Sequence, residues 1–333
     1  MSKNVAIVGA TGAVGQEFLV VLAERKFPIN HLRLLASGRS AGKEVSFAGK
    51  TYVVEELTKD SFAGIDIAFF SAGGGISKEF APAAVAAGAV VIDNTSAFRM
   101  KEGIPLVVPE VNPEAIKKHN GLIANPNCST IIMNVPVWPL HKANRVKRII
   151  VSTYQAVSGA GAWGLHELEA QTKAHAAGHP IVKEKFPHQI VNNLFSHNSK
   201  VADNGYNEEE NKMVLETRKI FAEPKIMITA TCVRVPVPRA HSESINLEFE
   251  RPMTVQQVRQ ILQHAPGVTI VDNPEANHFP MPMEASGQDN VLVGRIRQDI
   301  SREDGRGIDL FVSGDQIRKG AATNAVQIAE KLN

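Results

Sequence analysis

The chain of 333 residues is 44% hydrophobic and 21% charged with a net charge of +2, a globular composition with room for two domains rather than a disordered or fibrous one. No Lys/Arg block and no apolar run of ~20 residues occurs, so neither nucleic acid nor a membrane is an expected partner. Two cysteines make no disulfide framework and a strand begins within a few residues of the N-terminus, so a cytoplasmic protein without a targeting segment is expected.

The first third alternates short apolar strands with helical patterns. Residues 5–8 predict a strand and 12–25 the helix after it, joined by Gly9-Ala10-Thr11-Gly12-Ala13-Val14-Gly15. Glycines spaced G-x-x-G-x-x-G at that junction let the chain turn sharply and bring backbone N–H groups close to a pyrophosphate at the helix N-terminus. A second strand, 31–36, runs into Ser37-Gly38-Arg39-Ser40, with no acid where an NAD site usually holds one for the ribose 2′-hydroxyl. Arg39 suits a 2′-phosphate and Ser37 and Ser40 can donate to it, which favours NADP over a solvated turn with one exposed arginine. Strands over 65–72, 89–93 and 122–125, with a helix over 78–87, complete the pattern of a parallel, doubly wound sheet. Asp93-Asn94-Thr95-Ser96-Ala97-Phe98-Arg99 leaves the carboxyl end of one of these strands, the edge where such sheets bind ligands, so Arg99 is a candidate anion ligand.

Asn125-Pro126-Asn127-Cys128-Ser129-Thr130 places a cysteine where a strand ends and a helix should start. Unpaired N–H groups and the positive end of the helix dipole favour thiolate there, the nucleophilic form; the alternative is a small buried hydrophobe. Beyond it, 146–157, 225–237, 244–250, 291–297 and 307–312 read as longer, partly alternating strands and 254–264 as a helix, an α+β domain on a mixed or antiparallel sheet. Gln155 precedes the turn Ser158-Gly159-Ala160-Gly161, where backbone can approach a ligand closely. Five histidines crowd 163–198, but Gly178 separates His175 from His179 and Pro180 follows, so no helical metal pair is expected. The amphipathic stretch 165–174 inside that segment is read as part of a subunit contact. Glu209 and Lys212 share a helix face and by spacing alone are a surface ion pair. Arg234 is a fork suited to a carboxylate, or else a surface salt bridge, and Cys232 shares its strand parity, facing the same cleft or lying in the core. His241, after an extended turn held by Pro236 and Pro238, is the best placed histidine for a proton carrier. A C-terminal helix is expected over 316–332, from Ile317, Ala321, Ala325, Ile328 and Leu332 at helical spacing.

Together Gly9–Gly15, Ser71-Ala72-Gly73-Gly74, Asn94–Arg99, Asn125–Thr130, Gln155 with Ser158–Gly161, Glu209–Lys212, Arg234–His241 and Asn324 make the whole chain resemble the aspartate-semialdehyde dehydrogenase family. The resemblance implies a Rossmann-type NADP-binding domain over 1–127, a catalytic and dimerisation domain over 128–315, and a C-terminal helix over 316–333 that returns to the first domain. It implies NADPH-dependent reductive dephosphorylation of L-aspartyl 4-phosphate to L-aspartate 4-semialdehyde through a cysteine thioester, in lysine, threonine and methionine biosynthesis, by a homodimer or homotetramer. On this resemblance Cys128 is the nucleophile, Gln155 orients the intermediate and His241 is the general acid/base. Arg234 holds the substrate carboxylate and Glu209 its amino group, while Arg99, Asn127 and Lys212 bind acyl phosphate or phosphate. The cofactor would meet Gly9, Thr11, Gly12, Ala13, Val14, Gly15, Ser37, Arg39, Ser40, Ser71, Ala72, Gly73, Asn94, Ser158, Gly159 and Asn324, with no metal. Glycine often precedes the histidine in this family, and Ala240 stands there here. The closest rival is N-acetylglutamyl-phosphate reductase, whose neutral acylated amine gives Glu209 no cation to pair with. A catalytically silent NADP-binding regulator is the rival from another class, but it predicts loss of Cys128, His241 or Arg234, all present.

Overall fold

The computed structural model describes residues 2–332, which cluster into two compact units. The first holds the residues up to Asn127 and those from Ala321 onward; the second spans Cys128–Gly320.

In the first unit the strands are β1 (Lys3–Val8), β2 (Ile29–Ala36), β5 (Glu55–Glu56), β6 (Ile67–Phe70), β7 (Val90–Asp93) and β8 (Leu122–Ala124), and between β2 and β5 lies a small hairpin of β3 (Glu44–Phe47) and β4 (Lys50–Val53) that the sequence pattern did not reveal. The sheet order is β5-β2-β1-β6-β7-β8 and every pairing is parallel, the doubly wound order with its reversal between β1 and β6. β6 and β8 are buried throughout and β1 is buried from Val5 to Val8, as expected of strands covered on both faces. The helices α1 (Ala13–Glu24) and α2 (Gly74–Ala86) cross over between them. The C-terminal helix Thr323–Glu330 packs beside α1 and β7 and is shorter than the expected 316–332. Asp315 takes the N–H groups of Ile317 and Arg318, and a wider turn over Arg318–Ala322 precedes the regular helix.

The second unit is built on one mixed sheet. Its elements are α3 (Cys128–Ala143), β9 (Val146–Gln155), α4 (Ala162–Ala176), β10 (Phe195–Ser196), α5 (Glu208–Phe221), β11 (Met227–Arg234), β12 (His241–Phe249), α6 (Val255–Gln263), β13 (Val268–Ile270), α7 (Pro282–Ala285), β14 (Val291–Gln298) and β15 (Gly307–Gly314). Strand order is β10-β11-β9-β12-β15-β14-β13, with β9 and β11 parallel and β12 antiparallel to both β9 and β15. Inward residues alternate along β12, and α3 packs on β9, β12, β14 and β15 and on the helices α5 and α6. The strand expected over 244–250 starts at His241, because His241 already opposes Gly314 in the β15 ladder.

One inward row runs Cys232, Thr153 and Glu243 across β11, β9 and β12. Cys232 is a core residue, its Sγ 3.7 Å from the Met213 sulfur on α5, and burial raises its thiol pKa far above the usual value. Glu243 is fully buried and neither carboxylate oxygen has a partner among the described residues, so burial holds it protonated well above the usual range. A raised folded-state pKa leaves stability complete below the unfolded value of about 4.5 and removes it as pH rises toward the folded one. Glu243→Gln, which mimics the neutral acid, should therefore melt near wild type at pH 4.5 and above it at pH 8. The gap should widen by roughly 1.4 kcal/mol per pH unit, read from thermal midpoints along a pH series.

Candidate active site

In the first unit the glycine loop is shaped by close approach. Gly9 has φ +89°, and a Cβ there would lie 2.7 Å from the Ser71 carbonyl oxygen on the neighbouring β6 edge. At Gly15 a Cβ would come within 2.1 Å of the Gly9 carbonyl oxygen, so only glycine lets α1 sit this near β1. Gly12 caps α1 without a side chain, which leaves the first-turn N–H groups to an incoming anion. Thr11 Oγ1 lies 3.4 Å from Ser40 Oγ, so the glycine loop and the Ser37–Ser40 turn meet, with Arg39 exposed between. Glu56, on β5, comes against Gly38, a carboxylate the sequence reading did not place at this turn.

Asp93 builds the next loop. Its carboxylate accepts from Ser77 Oγ at 2.8 Å, from the Thr95 N–H at 3.0 Å and from Thr95 Oγ1 at 2.8 Å, and burial still raises its pKa. Arg99, 7% exposed, donates from Nε to the Asn125 carbonyl and from NH2 to the Asn94 carbonyl. Both amide atoms of Asn94 are buried without a partner among the described residues, which fits a ligand that supplies both a donor and an acceptor. Asn324 is fully buried and spends its amide hydrogens on Val107 and on Asn125 Oδ1, bracing the strand end before Asn127.

In the second unit Cys128 is the first residue of α3 and half-buried. Gly320 lies on it: a Cβ at 320 would come 2.8 Å from Cys128 Cβ. No sequence signal distinguished this glycine from the others. Around the same sheet ends, Gln155 Nε2 donates to Ser129 Oγ at 2.8 Å and to Glu209 Oε1 at 3.3 Å. Glu209 is buried and its Oε2 accepts from Lys212 Nζ at 3.1 Å, so the pair is not an exposed surface bridge. The capping box of Asn207 and Glu210 starts α5, and Glu210 also takes the Cys232 N–H, which ties that first turn to β11.

Arg234 opposes Gln155 in the parallel ladder and is 2% exposed. Its NH1 donates to the Ala156 carbonyl at 2.7 Å and its NH2 to His197 Nε2 at 2.9 Å, and burial lowers its pKa against the pull of Glu209 and of the thiols Cys128 and Cys232. His241 is 1% exposed; the Ala156 N–H donates to its Nδ1 at 3.0 Å, and its Nε2 has no partner among the described residues. A nitrogen that accepts an N–H bond carries no proton, so the neutral ring bears its hydrogen on Nε2. Burial, helped by Arg234, holds the ring well below the usual histidine pKa. Ala240 has φ +69°, the left-handed region in which glycine is at ease, and its N–H donates to Gln316 Oε1 at 2.8 Å. Gln316 Nε2 also donates to Ser158 Oγ, and a Cβ at Gly159 would press on His241 and on Arg234 NH1, so the Ser158–Gly159 turn backs these two side chains.

The structure thus gathers Cys128, Gln155, Glu209, Lys212, Arg234 and His241 in the second unit, and the glycine loop, Ser37–Ser40, Ser71–Gly73, Asn94 and Arg99 in the first. Sequence reasoning missed Ser129, His197, Ser199 and Gly320. Among the described residues no group of three or more His, Cys, Asp or Glu is placed to hold a metal.

Two family models match the chain: the semialdehyde dehydrogenase NAD binding domain over residues 4–119 and the semialdehyde dehydrogenase dimerisation domain over residues 137–319. The doubly wound sheet with its glycine loop, followed by the mixed sheet with its cysteine, is that of a semialdehyde dehydrogenase. An aspartate-semialdehyde dehydrogenase of Synechocystis is 55% identical over 99% of this chain and 97% of that protein. The crystal structure of aspartate semialdehyde dehydrogenase II from Vibrio cholerae, complexed with ASA, superposes with a TM-score of 0.97 at 50% identity, covering 100% of this chain and 98% of that one. The enzyme from Candida albicans, solved with NADP, covers 100% of this chain and 98% of its own with a TM-score of 0.77 at 26% identity. The chain belongs to the aspartate-semialdehyde dehydrogenase family.

Gly320→Ala tests the contact on the cysteine. The added methyl forces a shift at this contact, and displacement of Cys128 of this order is expected to lower turnover by about 10²-fold while the melting temperature falls by only a few degrees. Steady-state kinetics beside a thermal melt measure both.

Proposed function

We propose that this protein catalyses the reversible, phosphate-dependent oxidation of L-aspartate 4-semialdehyde, run in biosynthesis as reduction of L-aspartyl 4-phosphate, with NADP as cofactor. The observation that carries the reading is the buried pair Arg234 and Glu209 beside the cysteine-headed helix, a guanidinium fork and a carboxylate for the two charges of an α-amino acid.

The glycine loop and the open N-terminus of α1 fit a pyrophosphate, Ser37, Arg39 and Ser40 a 2′-phosphate, and Asn94 a carboxamide. Ser71–Gly73, Ser158, Gly159 and Asn324 complete the proposed set of cofactor contacts, Ser71 through the carbonyl that faces Gly9. When bound, the nicotinamide supplies or accepts the hydride at the acyl carbon. Cys128 attacks that carbon as thiolate, phosphate leaves toward Arg99, Asn127 and Lys212, and a thioester results. Gln155, anchored on Ser129 and Glu209, orients the acyl group. His241 presents Nε2–H to the oxygen on which negative charge develops, so its part in acid/base chemistry is that of donor, with Nδ1 already engaged. In the reverse direction phosphate, rather than water, releases the thioester.

Subunit assembly also follows. One face of the mixed sheet carries α3, while the other shows Tyr154, 39% exposed and 6.3 Å from the Phe311 ring, with Met227 exposed at its edge. We assign this face, with the segment 163–198 and its exposed Val182 and Leu194, to a homodimer or homotetramer. No helix among the described residues is long and apolar enough to cross a membrane. We place the protein in the cytoplasm on its cysteine usage, two thiols that form no disulfide with each other.

Wild type should reduce NADP⁺ with aspartate semialdehyde only when phosphate is present, and Cys128→Ala should lose that activity while still binding NADPH. Turnover of the N-acetylglutamate counterpart in place of this aldehyde would overturn the assignment of Glu209. Light scattering on the double variant Tyr154→Asp, Phe311→Asp should give half the wild-type mass; a monomeric wild type refutes the interface.

A further inference from the structure

His197 lies in the histidine-rich segment, yet its ring belongs to the site. The short strand β10 pairs Phe195 with Arg234 and Ser196 with Val233, and the His197 N–H continues the ladder to the Cys232 carbonyl at 2.8 Å. That backbone bond places the imidazole directly beside the Arg234 guanidinium. Arginine can only donate, so Nε2 of His197 is an acceptor and the neutral ring carries its hydrogen on Nδ1. That hydrogen points to Ser199 Oγ at 3.0 Å; the Ser199 N–H also lies 3.3 Å from Nδ1, but a neutral ring cannot accept at both nitrogens, and the Arg234 bond to Nε2, at 2.9 Å, is the shorter. The Ser199 hydroxyl in turn accepts the Glu209 N–H at 3.2 Å. A continuous chain of bonds therefore runs from Arg234 through His197 and Ser199 to the first turn of α5. Burial holds the His197 pKa down to about 4, with Arg234 and Lys212 acting in the same direction against the Glu209 carboxylate.

Resting on the function proposed above, we infer that His197, with Ser199, is a positioning residue that sets the guanidinium of Arg234 relative to Glu209, and so selects a substrate bearing a carboxylate and an ammonium on one carbon. The ring contacts neither charge of the substrate in this role; it acts through Arg234. Without it, NH1 is still held by the Ala156 carbonyl, but the guanidinium can pivot about that single bond.

Three variants test this in the full-length enzyme. His197→Leu keeps the bulk and removes both bonds; His197→Gln keeps an acceptor for Arg234 and a donor for Ser199; Ser199→Ala cuts the chain one link further on. The expected result for His197→Leu is a KM for aspartate semialdehyde raised about tenfold or more, with kcat, and the KM values for NADP⁺ and phosphate, within about twofold of wild type. Glutamine should restore most of the loss, and Ser199→Ala should raise the same KM by a few fold. An unchanged KM in His197→Leu, or equal defects in the leucine and glutamine variants, overturns the inference. Nitrogen-15 NMR of histidine-labelled wild type at pH 7 gives a readout independent of turnover: the His197 signals, assigned by their loss in His197→Gln, should be those of the neutral ring protonated on Nδ1. Should wild type fail to oxidise aspartate semialdehyde at all, the functional reading falls, and the NMR tautomer still decides whether His197 serves Arg234.

Discussion

The peptide group of Ala156 is the constraint on which the site depends. Its N–H donates to His241 Nδ1 and its carbonyl accepts from Arg234 NH1, so the backbone at one residue sets the proton location on one side chain and the direction of the other. Neither interaction depends on the identity of the Ala156 side chain. Both depend on β9 ending where it does, with Gln155 opposite Arg234 in the ladder. The three functional strands β9, β11 and β12 thus deliver their side chains as a row, and the backbone between the row members holds them in place.

Burial gives that row, and Glu209 of α5 beside it, their chemistry. Arg234, Glu209 and His241 are all withdrawn from water, where each unpaired charge would cost several kcal/mol, and each is partnered within the second unit or kept neutral. Beneath them lies a second row, Thr153, Cys232 and Glu243, in which the carboxyl is kept neutral by the same means. Low dielectric strengthens every remaining dipole toward a ligand, and the Nε2–H of His241 is the clearest case: a donor with no internal partner among the described residues, held in one orientation.

Elements whose form depends on local chemistry were legible in the sequence. The glycine loop is one, because Gly9 needs a positive φ and Gly15 needs contact with the Gly9 carbonyl. The cysteine at a helix start is another, since α3 begins at Cys128. Side chains whose role comes from distant pairing were not. Glu209 and Lys212 read as a surface pair by spacing, and only the packing of α5 beside β11 buries the carboxylate against Gln155. His197 was lost among its neighbours because its partner is thirty-seven positions away, across a strand of two residues. The C-terminal pattern was periodic from Gln316 onward, but the Asp315 side chain and the close approach of Gly320 to Cys128 delay the regular helix. The β3–β4 hairpin turns on Ala48 and Gly49, both at positive φ, and its strands are too short to announce themselves by alternation.

The first turn of α5 joins two recognitions that a flexible loop would leave independent. Glu209 looks into the site while its neighbour Glu210 grips the backbone of β11 two residues before Arg234. On the proposed assignment the ammonium, the carboxylate and the carbon attacked by Cys128 are therefore met by three groups that cannot trade places. Three unlike, immobile attachments around one tetrahedral carbon distinguish an object from its mirror image. The handedness of the amino acid is then settled by the pairing of a helix with a strand, before any bond to sulfur is made.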